Sequence, residues 1–211
     1  GNAGEAAARA ATAAVRAPLG SAAINGSQAL ALRQRVLSLP PGDTLLAMDN
    51  PNPADRTAAA VFYFQVGSTV GAEGLAEVAA LELLVTLVQA QVFAVLRMEE
   101  HLGYIAGMRA YRAWGAQAVV VYVQSDVAAP DYVDERLEAL IPRLGADLRD
   151  TSAEALDSAR EALLANYDTR DVDQSDQTAR IWGELEMHEC RFDRYAELRA
   201  AVRRVSLEDL S

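Results

Sequence analysis

From Leu75 to His101 apolar residues recur at spacings of three and four: Val78, Leu81, Leu84, Val85, Val88, Val92, Val95 and Leu96. That period predicts one long helix. Leu83, Leu87 and Phe93 widen its apolar stripe until most of its sides need cover. Gly71 and Gly74 mark its entry and Gly103 its exit. Before it, three segments read as strands: Arg35 to Leu39, Thr44 to Asp49 after Pro40-Pro41-Gly42, and Ala58 to Gly67 after Asn50-Pro51-Asn52-Pro53. The run VFYFQV in the last is β-branched and aromatic, as a core strand requires.

After the helix, Ile105 to Ser125 turns to β patterning, clearest in Ala118-Val119-Val120-Val121-Tyr122-Val123. Ala113-Trp114-Gly115 reads as a turn within a hairpin or a bulged long strand. Pro130 opens a helix with Val133, Leu137, Leu140, Ile141, Leu144 and Leu148 on its apolar face. Thr151-x-x-Glu154 predicts a capping box for the next, running to about Tyr167. Two more helices are expected near Gln174 to His188 and Arg194 to Val205. At the start, residues 3 to 16 are strong helix formers ended by Pro18 and Gly20, and a small, polar linker follows. Strands, a long helix, more strands and a group of helices predict an α+β layer structure.

Composition narrows the function. Thirty acidic residues against nineteen basic ones give a net charge of -11, which disfavours nucleic acid as a partner. The charge-free apolar run from Leu83 to Leu96 falls short of the roughly 20 residues that span a bilayer, so no membrane partner is expected. A single cysteine, Cys190, excludes an internal disulfide and fits a reducing, cytoplasmic compartment; a buried or inert thiol is expected there. The tail Ser206-Leu207-Glu208-Asp209-Leu210-Ser211 reads as a helix N-terminus capped by Ser206, which predicts an excised piece of a longer polypeptide.

The chemistry is posed by Leu96-Arg97-Met98-Glu99-Glu100-His101-Leu102-Gly103-Tyr104-Ile105. It stands one residue away from H-x-x-E-H, with arginine in place of the first histidine. A guanidinium stays protonated and offers no lone pair, so it cannot replace an imidazole ligand. The other histidine, His188, has with Cys190 neither a metal-site spacing nor two further partners, and no metal site is expected in this chain. Two readings then remain open from the residues alone. The segment is the solvated end of a helix with an Arg97–Glu100 ion pair, or Arg97 and Tyr104 project into one space where a phenol donates to a carbonyl oxygen as it gains charge.

A resemblance favours the second. Phe93, Leu96, Arg97, Glu100, Leu102, Gly103, Tyr104 and Ile105 match the spacing found in insulysin/pitrilysin-type zinc metalloendopeptidases, the inverzincins. Gln124-Ser125, Pro130-x-Tyr132, Arg136-x-Glu138, Trp182-Gly183-Glu184 and Phe192-Asp193-Arg194 match downstream, and Gly1-Asn2 before an Ala-rich helix resembles the end of the family's preceding domain. The resemblance implies a two-layer half-domain of the insulysin and mitochondrial-processing-peptidase kind. Residues 1–20 would close the preceding domain, 21–34 link, and 35–211 form a C-terminal domain truncated at its end. It implies a clamshell enzyme that degrades insulin-like hormones or other oligopeptides. The partner of this chain is then the N-terminal half of the same polypeptide, which holds the zinc; oligomers are possible. Arg97 and Tyr104 are the implied catalytic residues, this chain binds no cofactor, and it is inactive alone. Glu100 is expected to partner an arginine, and His101 has no role. Two rivals are a catalytically inert scaffold or regulatory subunit of the same fold, which lacks H-x-x-E-H in the parent, and a helical interaction module.

Overall fold

The computed structural model describes residues 3–20, 25–28, 34, 36–168 and 171–210. Helix α1 (Glu5–Leu19) reaches past the expected end and carries Pro18 in its last turn; Gly20 caps it at φ 55°. None of its residues is buried. The expected linker lies partly outside the described residues. Strand β1 (Ala58–Ser68) leads into helix α2 (Gly71–Phe93), which continues as a π-helical turn (Ala94–Glu99). Strands β2 (Ile105–Ala113) and β3 (Ala116–Ser125) follow. The chain then forms helices α3 (Pro130–Arg149), α4 (Ala153–Asp168), α5 (Gln174–Glu186) and α6 (Arg194–Val202), and ends in a 3-10 turn (Glu208–Leu210).

The sheet is antiparallel with order β1-β3-β2. Trp114 (φ 42°) and Gly115 (φ 86°) both adopt left-handed backbone, which is the geometry of a two-residue turn matched to strand twist, so residues 105–125 form a tight hairpin. Val119, Val121 and Val123 of β3 share one face with Phe62 and Met108 and meet α2 and α3 there. The opposite side of α2 packs on α4, α6 and the terminal turn through Val78, Leu83, Leu163, Leu198 and Val202. Two cores thus flank one helix, which explains why α2 is apolar nearly all round. Glu73–Glu99 is long and apolar enough to cross a membrane, yet here it is the shared wall of two cores.

Several expectations are corrected. Residues 36–39 and 44–49 form no strand; Arg35 lies outside the described residues. Leu37, Leu45, Leu46 and Met48 stand exposed, because a strand needs a hydrogen-bonding neighbour and β1 offers this segment only a side chain. Gln65 Nε2 donates to Leu37 O at 3.1 Å, and Leu39 N donates to Gln65 Oε1 at 2.9 Å. The cap of α4 falls one residue later than predicted: Ser152 Oγ accepts from Ala155 N at 3.2 Å, whereas Thr151 Oγ1 donates back to Asp147 O. Asp173 caps α5, accepting from Ser175 N at 2.7 Å and Asp176 N at 3.0 Å. Ser206 and Asp209 bond reciprocally at the final turn, as its sequence predicts. Cys190 is exposed, not buried, on left-handed backbone at φ 51°.

Candidate active-site surface at a helix-to-strand junction

The site is built by a change of helical pitch. Glu100 N donates to Val95 O at 3.0 Å, a five-residue bond that widens the last turn of the α2 helix. Leu96 and Leu102, at 0% and 1% exposure, pin both ends of the bulge into the core, and Leu102 N donates to Leu96 O at 3.0 Å. Between them His101 reverses the chain at φ 52°. Gly103 then passes so close to β3 that a Cβ there would meet Gln124 O at 2.1 Å. Only glycine fits such a backbone approach. Ile105 immediately pairs with Gln124 to begin β2.

This path brings Arg97 and Tyr104 together. The guanidinium carbon of Arg97 sits 4.1 Å from the centroid of the Tyr104 ring and 5.5 Å from that of Phe93. Nη1 also donates to the Tyr104 carbonyl oxygen. Tyr104 is 80% exposed, and Phe93, Met98 and Ile105 are exposed beside it. The stack is held by cation–π attraction and a charge-assisted backbone bond. It leaves the phenol on the surface, next to a fixed positive charge and an apolar rim. Chemically it offers a neutral donor and a cation to an oxygen atom that gains negative charge.

The two acids of the segment turn the other way. Arg136 on α3 grips Glu100 with two bonds, Nε to Oε2 at 2.8 Å and Nη2 to Oε1 at 2.6 Å. Arg143 Nη1 bonds Glu99 Oε2 at 3.1 Å. The bonds from Arg136 hold the Glu100 carboxyl below the usual range. Glu100 therefore does partner an arginine, one on the next helix and not Arg97. Both acids clamp the bulge onto α3, and His101 stands exposed between bulge and strand. Among the described residues no three His, Cys, Asp or Glu side chains come together where a metal would sit.

Residues 83–182 match the family described as PQQ synthase PqqF-like, C-terminal lobe domain 4. The insulin-degrading enzyme of Homo sapiens is 29% identical over 130 residues, which cover 62% of this chain and 13% of that protein. Human nardilysin is 25% identical over 185 residues, covering 87% of this chain and 16% of that protein. The crystal structure of pitrilysin overlays 74% of this chain and 16% of its own with a TM-score of 0.63 at 20% identity, a likeness of fold. The chain is thus similar in sequence to the C-terminal parts of insulysin-type peptidases and in fold to pitrilysin. It spans only 13% and 16% of the length of the two human relatives.

The motifs Trp182-Gly183-Glu184 and Phe192-Asp193-Arg194 form a second constellation that their spacing did not predict. Arg194, 4% exposed, grips Glu184, 7% exposed, with Nε to Oε1 at 2.5 Å and Nη2 to Oε2 at 2.9 Å. Arg194 also bonds Glu189, whose Oε1 accepts from Thr69 Oγ1 at 2.7 Å. Arg112 on β2 approaches Glu184 at 3.6 Å, and Arg191 N donates to Glu184 at 3.2 Å. Burial pushes the Glu184 carboxyl up, but the bonds and charge of Arg194 outweigh it and hold it below the ordinary value. The network ties the β1–α2 loop and β2 to α5 and α6. Its sequence signal is the pair of motifs Trp182-Gly183-Glu184 and Phe192-Asp193-Arg194, since no local period reveals that the acid and the base ten residues apart are buried together.

Proposed function

We propose that this lobe completes the peptide-cleaving site of a zinc metalloendopeptidase by supplying Arg97 and Tyr104 to the substrate near the scissile carbonyl. The observation that carries the proposal is the exposed stack of a guanidinium on a phenol, held by a π-helical turn and a glycine that admits no side chain. In this reading zinc is held outside this chain, by the N-terminal half of the same polypeptide. The lobe is inactive alone, and peptides, whether insulin-like hormones or other oligopeptides, are bound between the halves in the cytoplasm. The Tyr104 hydroxyl donates to the carbonyl oxygen as its charge grows, and Arg97 both orients the ring and adds positive potential beside it. Because donor and cation sit on a wall opposite the other reacting groups, they act only on closure, so closure and chemistry are coupled. The absence of any buried residue on α1 supports assigning residues 1–20 to the preceding domain, with 21–34 as linker and 35–211 as the lobe.

The test is peptide cleavage by the intact protein carrying Tyr104→Phe or Arg97→Ala. Each is expected to lower kcat/KM at least ~10-fold, about 1.4 kcal/mol of transition-state stabilisation. Unchanged kcat/KM in both variants sinks the catalytic role.

A further inference from the structure

A cavity of about 410 Å³ lies between β2, the first half of α2, α4 and α6, apart from the Arg97–Tyr104 junction. Its lining is apolar at Val78, Leu81, Leu163 and Leu198, yet it also carries one acid, Glu82, and one base, Arg112. Neither charge is fully used. Glu82 immediately precedes the charge-free run of α2, and its carboxylate accepts a bond from the Tyr167 hydroxyl. Burial raises its carboxyl above the ordinary range, and the Tyr167 bond and the charges of Arg112 and Arg194 offset this only in part. Arg112 has no closer carboxylate among the described residues than Glu184 at 3.6 Å. Gln117, on the same wall, is 1% exposed; its Nε2 donates to Glu77 Oε2 at 3.0 Å, and its Oε1 lacks a partner among the described residues.

Charge and size together select the ligand. A purely apolar molecule leaves a half-satisfied carboxyl and a guanidinium facing hydrocarbon. A simple anion meets Glu82, and a simple cation meets Arg112. A molecule with both charges and an apolar body satisfies every group, and the volume is at the lower end of small-ligand sites. We infer that this cavity binds a zwitterionic α-amino acid with an aliphatic side chain, its ammonium at Glu82 and its carboxylate at Arg112. The four aliphatic residues take the side chain. The inference does not depend on the peptidase reading.

Isothermal titration of the intact protein with leucine, leucinamide and N-acetylleucine tests it, because the two analogues each remove one charge. Leucine is expected to bind saturably, and each analogue at least ~10-fold more weakly. Glu82→Gln, which keeps an acceptor for Tyr167, and Arg112→Gln are each expected to weaken leucine binding by at least a similar ~10-fold factor, while Tyr104→Phe leaves it unchanged. No saturable heat with leucine overturns the inference, as does either analogue binding as well as leucine, or an undiminished affinity in Glu82→Gln. Loss of leucine binding in Tyr104→Phe assigns the amino acid to the junction instead and equally overturns it. Should Arg112→Gln fail to fold, the analogues and Glu82→Gln still decide.

Discussion

Replacing Arg194 with alanine removes three bonds to two carboxylates and leaves Glu184, 7% exposed, without its main counter-charge. Arg112 at 3.6 Å and the Arg191 amide at 3.2 Å remain, so the acid is not wholly abandoned, but neither replaces a two-pronged guanidinium. Breaking a buried pair on one side costs ~3–5 kcal/mol, because the surviving charge stays desolvated. Hydrogen exchange on the intact protein reads this locally, at the amides of β2 and α6 that the network joins. The opening equilibrium there should rise by a factor of roughly 150 to 5,000, since each 1.4 kcal/mol is tenfold. The double variant Glu184→Leu/Arg194→Met should recover most of the loss, as apolar replacement of both partners removes the uncompensated charge. The sign with pH follows from Glu184: its folded value lies below the unfolded one of 4.5, so its contribution is present above that value and is lost as pH falls through the folded one. A change in exchange smaller than tenfold in Arg194→Ala, or a double variant as labile as the single, would refute the reasoning.

Three further outcomes follow from the junction and from α2. Gly103→Ala places a Cβ 2.1 Å from Gln124 O and must push β2 and Tyr104 from their places; a stability loss of ~1–3 kcal/mol is expected, with a fall in kcat/KM, read by exchange at β2 and by peptide cleavage. Glu100→Gln loosens the bulge from α3 by ~1 kcal/mol or less, because the pair is partly solvated. The Glu100 carboxyl is held low in the folded state, so wild type loses this stabilisation as pH falls below 4.5 and the variant shows no such slope in acid unfolding. Glu82 is raised in the folded state, so it weakens the fold as pH climbs from 4.5 through the folded value. Glu82→Gln should flatten that part of the stability profile and match or exceed wild-type stability at neutral pH.

What the sequence revealed depended on how local its cause was. The all-round apolar pattern of Val78 to Leu96 required a doubly covered helix, and the structure supplies a core on each side. The hairpin was legible because Trp114-Gly115 sits between two β runs, and α3 because Pro130 opens a clean apolar stripe. Residues 36–39 and 44–49 misled, since their apolar residues resemble strands, yet pairing is decided by a neighbour that no local pattern reports. At the junction, sequence suggested that Arg97 and Tyr104 lie near one another because only a turn separates helix from strand. It did not reveal the π-helical bond, nor that Glu100 reaches Arg136, thirty-six residues away. The Glu184–Arg194 pair was visible only as two motifs of a resemblance, since burial of both charges arises from packing of α5 and α6 against the β1–α2 loop.

The most direct test of the proposed role is a double-mutant cycle on kcat/KM for peptide cleavage by the intact protein, built from Arg97→Ala, Tyr104→Phe and the pair. Side chains stacked at 4.1 Å and acting on one oxygen should be coupled. The predicted result is a loss of at least ~10-fold in each single variant and a double variant little worse than the poorer single one. Full activity in both single variants contradicts the account, and so do losses that simply multiply.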